Sequence, residues 1–154
     1  MKTTNGAYII DSLNKILVCH PTNHSMNMWS IPKGLTDEGE TSLESTNREV
    51  WEETDLNLDL FKNKTTYKDL GIQPYNNKKK KLHAHLFHID LPLSKMELNL
   101  WCKSNFICEK SGIEYPENDI TRWESFEFSE KYLHESQQTF LKKVMEIVSN
   151  IKNK

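Results

Sequence analysis

Cysteine is scarce in this chain of 154 residues, where Cys19, Cys102 and Cys108 are the only three. Their number is odd and their spacing fits neither CxxC nor a Cys/His metal pattern, which argues against a secreted disulfide framework and makes the cytoplasm the expected compartment. The thiols then serve as small hydrophobes. Long apolar runs are missing too. Nothing approaches the roughly 18 apolar residues of a membrane span, and the opening MKTTNGAYII has no basic stretch leading into an apolar one, so neither membrane insertion nor export is expected. Five glycines and five prolines build no linker tract and no segment repeats, so one domain over residues 1–154 is expected. Charge of a single sign is lacking as well: 20 Lys and Arg face 22 Asp and Glu, for a net charge of -2. That balance removes the global basic charge of a dedicated nucleic-acid binder.

What is present reads as a mixed α/β chain. Ala7–Ile10 and Ile16–Cys19 are β-branched runs around a turn-forming segment, a hairpin pattern. An irregular loop follows over 20–33, punctuated by Pro21, Asn23, Asn27 and Pro32. From Ser42 to Thr54 the apolar period turns helical, with Leu43, Val50 and Thr54 on one side. Asp55 follows, and Asp tolerates the left-handed conformation that ends many helices. Extended segments are expected over 65–72 and 82–91, joined by a basic hairpin loop over 73–81. Residues 92–122 read as mostly irregular. Phe140, Leu141, Val144, Val148 and Ile151 then recur at helical spacing with charges between them, an amphipathic C-terminal helix.

The densest chemical signal is Arg48-Glu49-Val50-Trp51-Glu52-Glu53. On a helix Glu49 and Glu53 differ by about 40°, and Glu49 and Glu52 by about 60° in the opposite sense. Three carboxylates in one arc repel, each close pair costing a few tenths of a kcal/mol even when exposed. A hard divalent cation relieves that repulsion, because Mg²⁺ combines a few carboxylates with waters and phosphate oxygens. Such a cluster suits phosphoanhydride hydrolysis, in which the metal lowers the pKa of a water and a free carboxylate accepts its proton. A solvated acidic helix face is the competing reading.

Spacing around the cluster decides between them. The segment 34–56 resembles the Nudix box, with Gly34, Glu40, Arg48, Glu49, Val50, Glu52, Glu53 and Leu56 in matching slots and Asp55 where a glycine is usual. The resemblance implies a Nudix-type α/β/α sandwich with a mixed sheet, and an enzyme that uses Mg²⁺ or Mn²⁺. It implies that Glu49, Glu52 and Glu53 bind the metal, one of them serving as base, that Gly34 adds its backbone carbonyl, and that Glu40 and Arg48 are structural. Trp29-Ser-Ile-Pro-Lys-Gly34, Leu82-His83-Ala84 and Ser104-Asn105-Phe106 are similar to a subset described as nucleoside-triphosphate pyrophosphohydrolases. By the same resemblance Glu117 completes the metal site, with Glu109 and Asp119 as competitors. The implied reaction is hydrolysis of a pyrophosphate bond in a nucleoside diphosphate linked to another moiety: a nucleoside triphosphate, a dinucleoside polyphosphate, ADP-ribose or similar. A nucleotide-type small molecule is the expected partner, and an RNA 5′ end is a further candidate. A noncatalytic nucleotide-binding module is the rival class, although such a module would ordinarily have lost acidic positions that are intact here.

Weaker features accompany these. Lys33 adjoins Gly34 and is a candidate phosphate ligand. Trp29, Tyr75 and Phe87 carry rings able to stack on a base, with core packing favoured for Phe87. His83 is a candidate substrate contact; with His85 it shares one side of a strand, but no third ligand suggests zinc. The run Lys78–Lys81 reads as a solvated hairpin tip that could also attract a polyphosphate.

Overall fold

A computed structural model describes residues 2–74 and 79–152. Tyr75 and Lys78 therefore lie outside the described residues. A mixed sheet is built from β1 (Lys2–Ile10), β2 (Ile16–Pro21), β3 (Lys33–Leu35), β4 (Thr65–Pro74), β5 (Lys80–Ile89) and β8 (Asn118–Glu124), in the order β4-β5-β1-β2-β8 with β3 also on β1. The β1–β5 pair is parallel and the other pairs are antiparallel. Two short strands, β6 (Asn105–Ile107) and β7 (Glu114–Pro116), pair separately.

Alternation along the strands sends side chains to two cores. Tyr8, Ile10, Val18, Leu82 and Leu86 face α3 (Gln138–Lys152), which returns Phe140, Leu141, Val144 and Val148. Ala7, Ile9, Leu17, Phe87 and Ile89 face the opposite side, where Val50 of α1 (Ser42–Thr54) packs. Phe87 is thus core. The sheet lies between helices, each fully buried aliphatic side chain contributing about 1.5–3 kcal/mol.

Helix α1 begins and ends as its sequence predicts. Thr41 accepts from the Glu44 N–H at 3.1 Å while the Glu44 carboxylate accepts from the Thr41 N–H at 3.1 Å, a reciprocal cap on two otherwise unpaired donors. Asp55 closes the helix in the left-handed region at φ 64°, its N–H reaching the Trp51 carbonyl.

The segment 92–122 is mostly irregular, as expected, but not wholly so. It contains β6, β7 and most of β8, and β8 pairs with β2 from Ile16↔Glu124 onward. These strands are short or half-exposed, so they lack the buried apolar run that marks a strand in sequence. A further short helix, α2 (Phe126–Tyr132), is capped by Ser125, whose hydroxyl accepts from the Phe128 N–H. None of the described helices is long and apolar enough to cross a membrane.

Candidate active site

The face that α1 turns inward carries Thr46, Glu49, Val50, Glu53 and Thr54, so two carboxylates are buried where packing alone would favour apolar groups. Their environment is specific. Arg48 clamps Glu40 through Nε at 2.8 Å and Nη2 at 2.9 Å, then reaches Glu49 at 2.9 Å, Glu52 at 3.1 Å and the Leu35 carbonyl at 2.9 Å. One guanidinium therefore ties the loop before α1 to the acidic face. Glu53 accepts from the backbone N–H of Lys33 at 2.8 Å. Gly34 lies against Glu49 so closely that a Cβ there would stand 1.9 Å from the Glu49 carboxyl carbon. Only glycine fits.

Burial pushes the Glu53 carboxyl up to about 8, with the charges of Glu49 and Glu117 adding to the rise and Lys33 opposing it. Burial likewise pushes Glu49 up to about 7, Arg48 pulling the other way. Glu117 is raised by burial and by the charge of Glu52, with Lys33 opposing. The hydrogen bond from Arg48 holds Glu40 below the usual carboxylate range. Two buried acids with raised pKa values beside more acids form a cation-seeking group.

These groups open on one cavity of about 780 Å³, whose walls include Glu49, Glu52, Glu53, Glu117, Lys33 and Gly34. The structure thus brings Glu117 to the α1 carboxylates from the β7–β8 junction, where its N–H bonds the Ser104 carbonyl. Its competitors are placed elsewhere. Asp119 is taken by His20 Nδ1 at 2.6 Å, and neither it nor Glu109 lines the cavity.

Two expected substrate contacts need correction. Trp29 borders the cavity but is fully buried, its indole N–H donated to the Met26 carbonyl at 2.7 Å and its ring covered by Arg122 at 4.3 Å and by Phe128. A ring so enclosed has no free face for a base. His83 does not line the cavity; Asp69 and Ser42 hold it on the hairpin side of the N-terminus of α1. Sequence reasoning missed Lys2 and read Lys80 only as part of a solvated lysine run; the two are register partners at the starts of the parallel strands β1 and β5, and both reach the cavity. The lysine run was a signal for Lys80, but nothing local points to Lys2.

Family comparison matches residues 2–144 to the family described as NUDIX domain. The chain belongs to the Nudix hydrolase family. One curated Nudix relative, Nucleoside diphosphate-linked moiety X motif 6 of Xenopus laevis, is 38% identical over 55 residues, 36% of this chain and 25% of that protein. The match thus spans a quarter of that relative's length. Among solved structures, a C. elegans Ap4A hydrolase binary complex aligns with a TM-score of 0.68 at 18% identity, over 96% of this chain and 98% of the other. A bifunctional NMN adenylyltransferase/ADP ribose pyrophosphatase from Francisella tularensis, complexed with AMP and a manganese ion, aligns with a TM-score of 0.63 at 18% identity, over 94% of this chain and 41% of the other. These likenesses show that the mixed sheet between helices is the Nudix fold.

Proposed function

We propose that the chain, as one Nudix domain over residues 1–154 with its box at 34–56, hydrolyses a pyrophosphate bond in a nucleoside diphosphate linked to another moiety. The observation that carries this reading is the convergence of Glu49, Glu52, Glu53 and Glu117 with Lys33 on a single cavity. The donor set fits Mg²⁺ or Mn²⁺: all its members are hard oxygens, and the buried Glu49 and Glu53 are uncomfortable as bare anions. Glu49, Glu52, Glu53 and Glu117 would hold the ion, with the Gly34 carbonyl. When bound, it supplies charge neutralisation at the diphosphate and lowers the pKa of a water.

The chain's own residues do the rest. Arg48, anchored on Glu40, fixes Glu49 and Glu52 and keeps the acidic face from splaying. One of Glu49, Glu52 and Glu53 serves as base, the one whose oxygen the ion leaves free to accept the proton of the attacking water. Lys33 meets the phosphate beside the carboxylates, while Lys2 and Lys80 extend the positive lining for a longer polyphosphate. Free cysteines at 19, 102 and 108 support a reducing, cytoplasmic setting.

A panel of nucleoside triphosphates, dinucleoside polyphosphates, ADP-ribose and 5′-capped RNA, assayed with Mg²⁺ or Mn²⁺ and with product identification, tests the proposal. Turnover of at least one is expected, and Glu53→Gln should lower kcat by about 10²–10⁴-fold with little change in KM. Nucleotide binding without turnover across the panel would instead favour the noncatalytic module. RNA as substrate would show a KM that climbs steeply with salt.

A further inference from the structure

Away from the carboxylate site, Asp69, His83 and His85 each bring a ligand-competent atom within 4.8 Å of the others. Strand register assembles them. Asp69 of β4 lies opposite His85 of β5, and an irregularity between Asp69 and Gly71 shifts the pairing there. His83 and His85, two residues apart, share one face of β5 with their rings stacked at 4.4 Å.

Proton bookkeeping around Ser42, the first residue of α1, gives the cluster a direction. The Ser42 hydroxyl donates its one hydrogen to Asn5 Oδ1 at 2.6 Å. It also lies 2.8 Å from His83 Nδ1 and 2.8 Å from His85 Nε2, so it meets both with lone pairs and both nitrogens must carry hydrogen. On neutral rings the opposite nitrogens, His83 Nε2 and His85 Nδ1, then present lone pairs. His83 Nε2 faces the Asp69 carboxylate at 2.8 and 2.9 Å, and His85 Nδ1 accepts the Tyr67 hydroxyl at 2.6 Å. A carboxylate has no hydrogen to give. The close approach of Asp69 to His83 Nε2 suits a hydrogen on that nitrogen or a metal ion between them.

We propose that Asp69, His83 and His85 form a second metal site, selective for a Zn²⁺-class cation and separate from the carboxylate site that serves hydrolysis. His83 Nε2, His85 Nδ1 and one Asp69 oxygen are the ligands, with the Tyr67 hydroxyl turning aside from Nδ1. Two imidazoles and a carboxylate suit zinc, whereas the α1 cluster offers oxygens alone. Ser42 orients both rings by accepting their remaining N–H groups, the outer support that metal-ligating histidines generally have. Asp69 is half exposed and gives the ion a way in. The bound ion would tie the β4–β5 hairpin, through Ser42, to the first turn of the helix that carries Glu49, Glu52 and Glu53.

Chelator-treated full-length protein titrated with Zn²⁺ against a zinc-sensitive indicator tests this, read beside the ring proton resonances of the histidines. One equivalent should bind and shift the resonances of His83 and His85, and that binding should survive Glu53→Gln. His83→Gln and Asp69→Asn should each weaken it by about tenfold or more. Absence of zinc binding, binding lost in Glu53→Gln, or affinity unchanged in both hairpin variants would overturn the proposal. If His83→Gln fails to fold, the exposed Asp69→Asn, checked by its melting curve, and the wild-type resonances still decide it.

Discussion

Replacing Gly34 by alanine drives a methyl group into the carboxylate of Glu49, which has the Arg48 guanidinium on its other side. We expect Gly34→Ala to lower both kcat and apparent Mg²⁺ affinity by about 10–100-fold, the scale seen when a ligand's support is disturbed, as measured by metal-dependent turnover. The same crowding makes stability depend on pH. Glu49 and Glu53 bind protons more tightly in the folded chain than in the unfolded one, so their contribution is fully present below the ordinary carboxylate pKa of about 4.3. It is lost as pH rises through about 7 for Glu49 and about 8 for Glu53. Metal-free protein should therefore melt at a lower temperature with rising pH across that window, and Mg²⁺ should stabilise most at its upper end, where protons no longer compete. Calorimetry with and without Mg²⁺ checks both trends. A metal-free melting temperature that climbs over the same range contradicts the assignment.

Helix α1 was legible because its signals are local: apolar spacing and an aspartate able to end it, to which the structure adds a capping threonine. Each end can be tested without touching the carboxylates. Thr41→Ala removes the side-chain half of the cap and should cost about 1 kcal/mol in urea denaturation. Asp55→Ala places an ordinary Cβ residue at φ 64° and removes the ion pair with Lys103, so about 1–2 kcal/mol should be lost. Strands β6, β7 and β8 were not legible because they lack such signals. β8 pairs with a strand about a hundred residues earlier, β6 and β7 are only three residues each, and the half-exposed faces of all three leave no strong alternation. Asp69 escaped notice likewise, because only the β4–β5 register brings it to the two histidines.

Across the whole molecule, the sheet separates two cores, and only one carries the acidic helix. Leu141 lies fully buried in the core on the other side, so Leu141→Ala should destabilise the protein by about 2–5 kcal/mol while leaving kcat near its original value well below the melting temperature. Chemical denaturation and turnover measured on one preparation would show whether the cores are so divided. The carboxylate half of the candidate site was readable because the box gathers its acids within one helix. Its lysines arrive from separate strands, and proximity in sequence did not reveal that Trp29 turns inward or that His83 faces the hairpin. One edge of β1 is divided between two neighbours, β3 at Thr4 to Gly6 and β2 at Ile10. The chain linking those neighbours supplies His24 and Met28 to the cavity wall, ahead of α1 in the sequence. That connection runs straight into Lys33 and Gly34, so the cavity wall it forms and the backbone that holds Glu53 and crowds Glu49 are one continuous segment, and a change in its length would be felt by both.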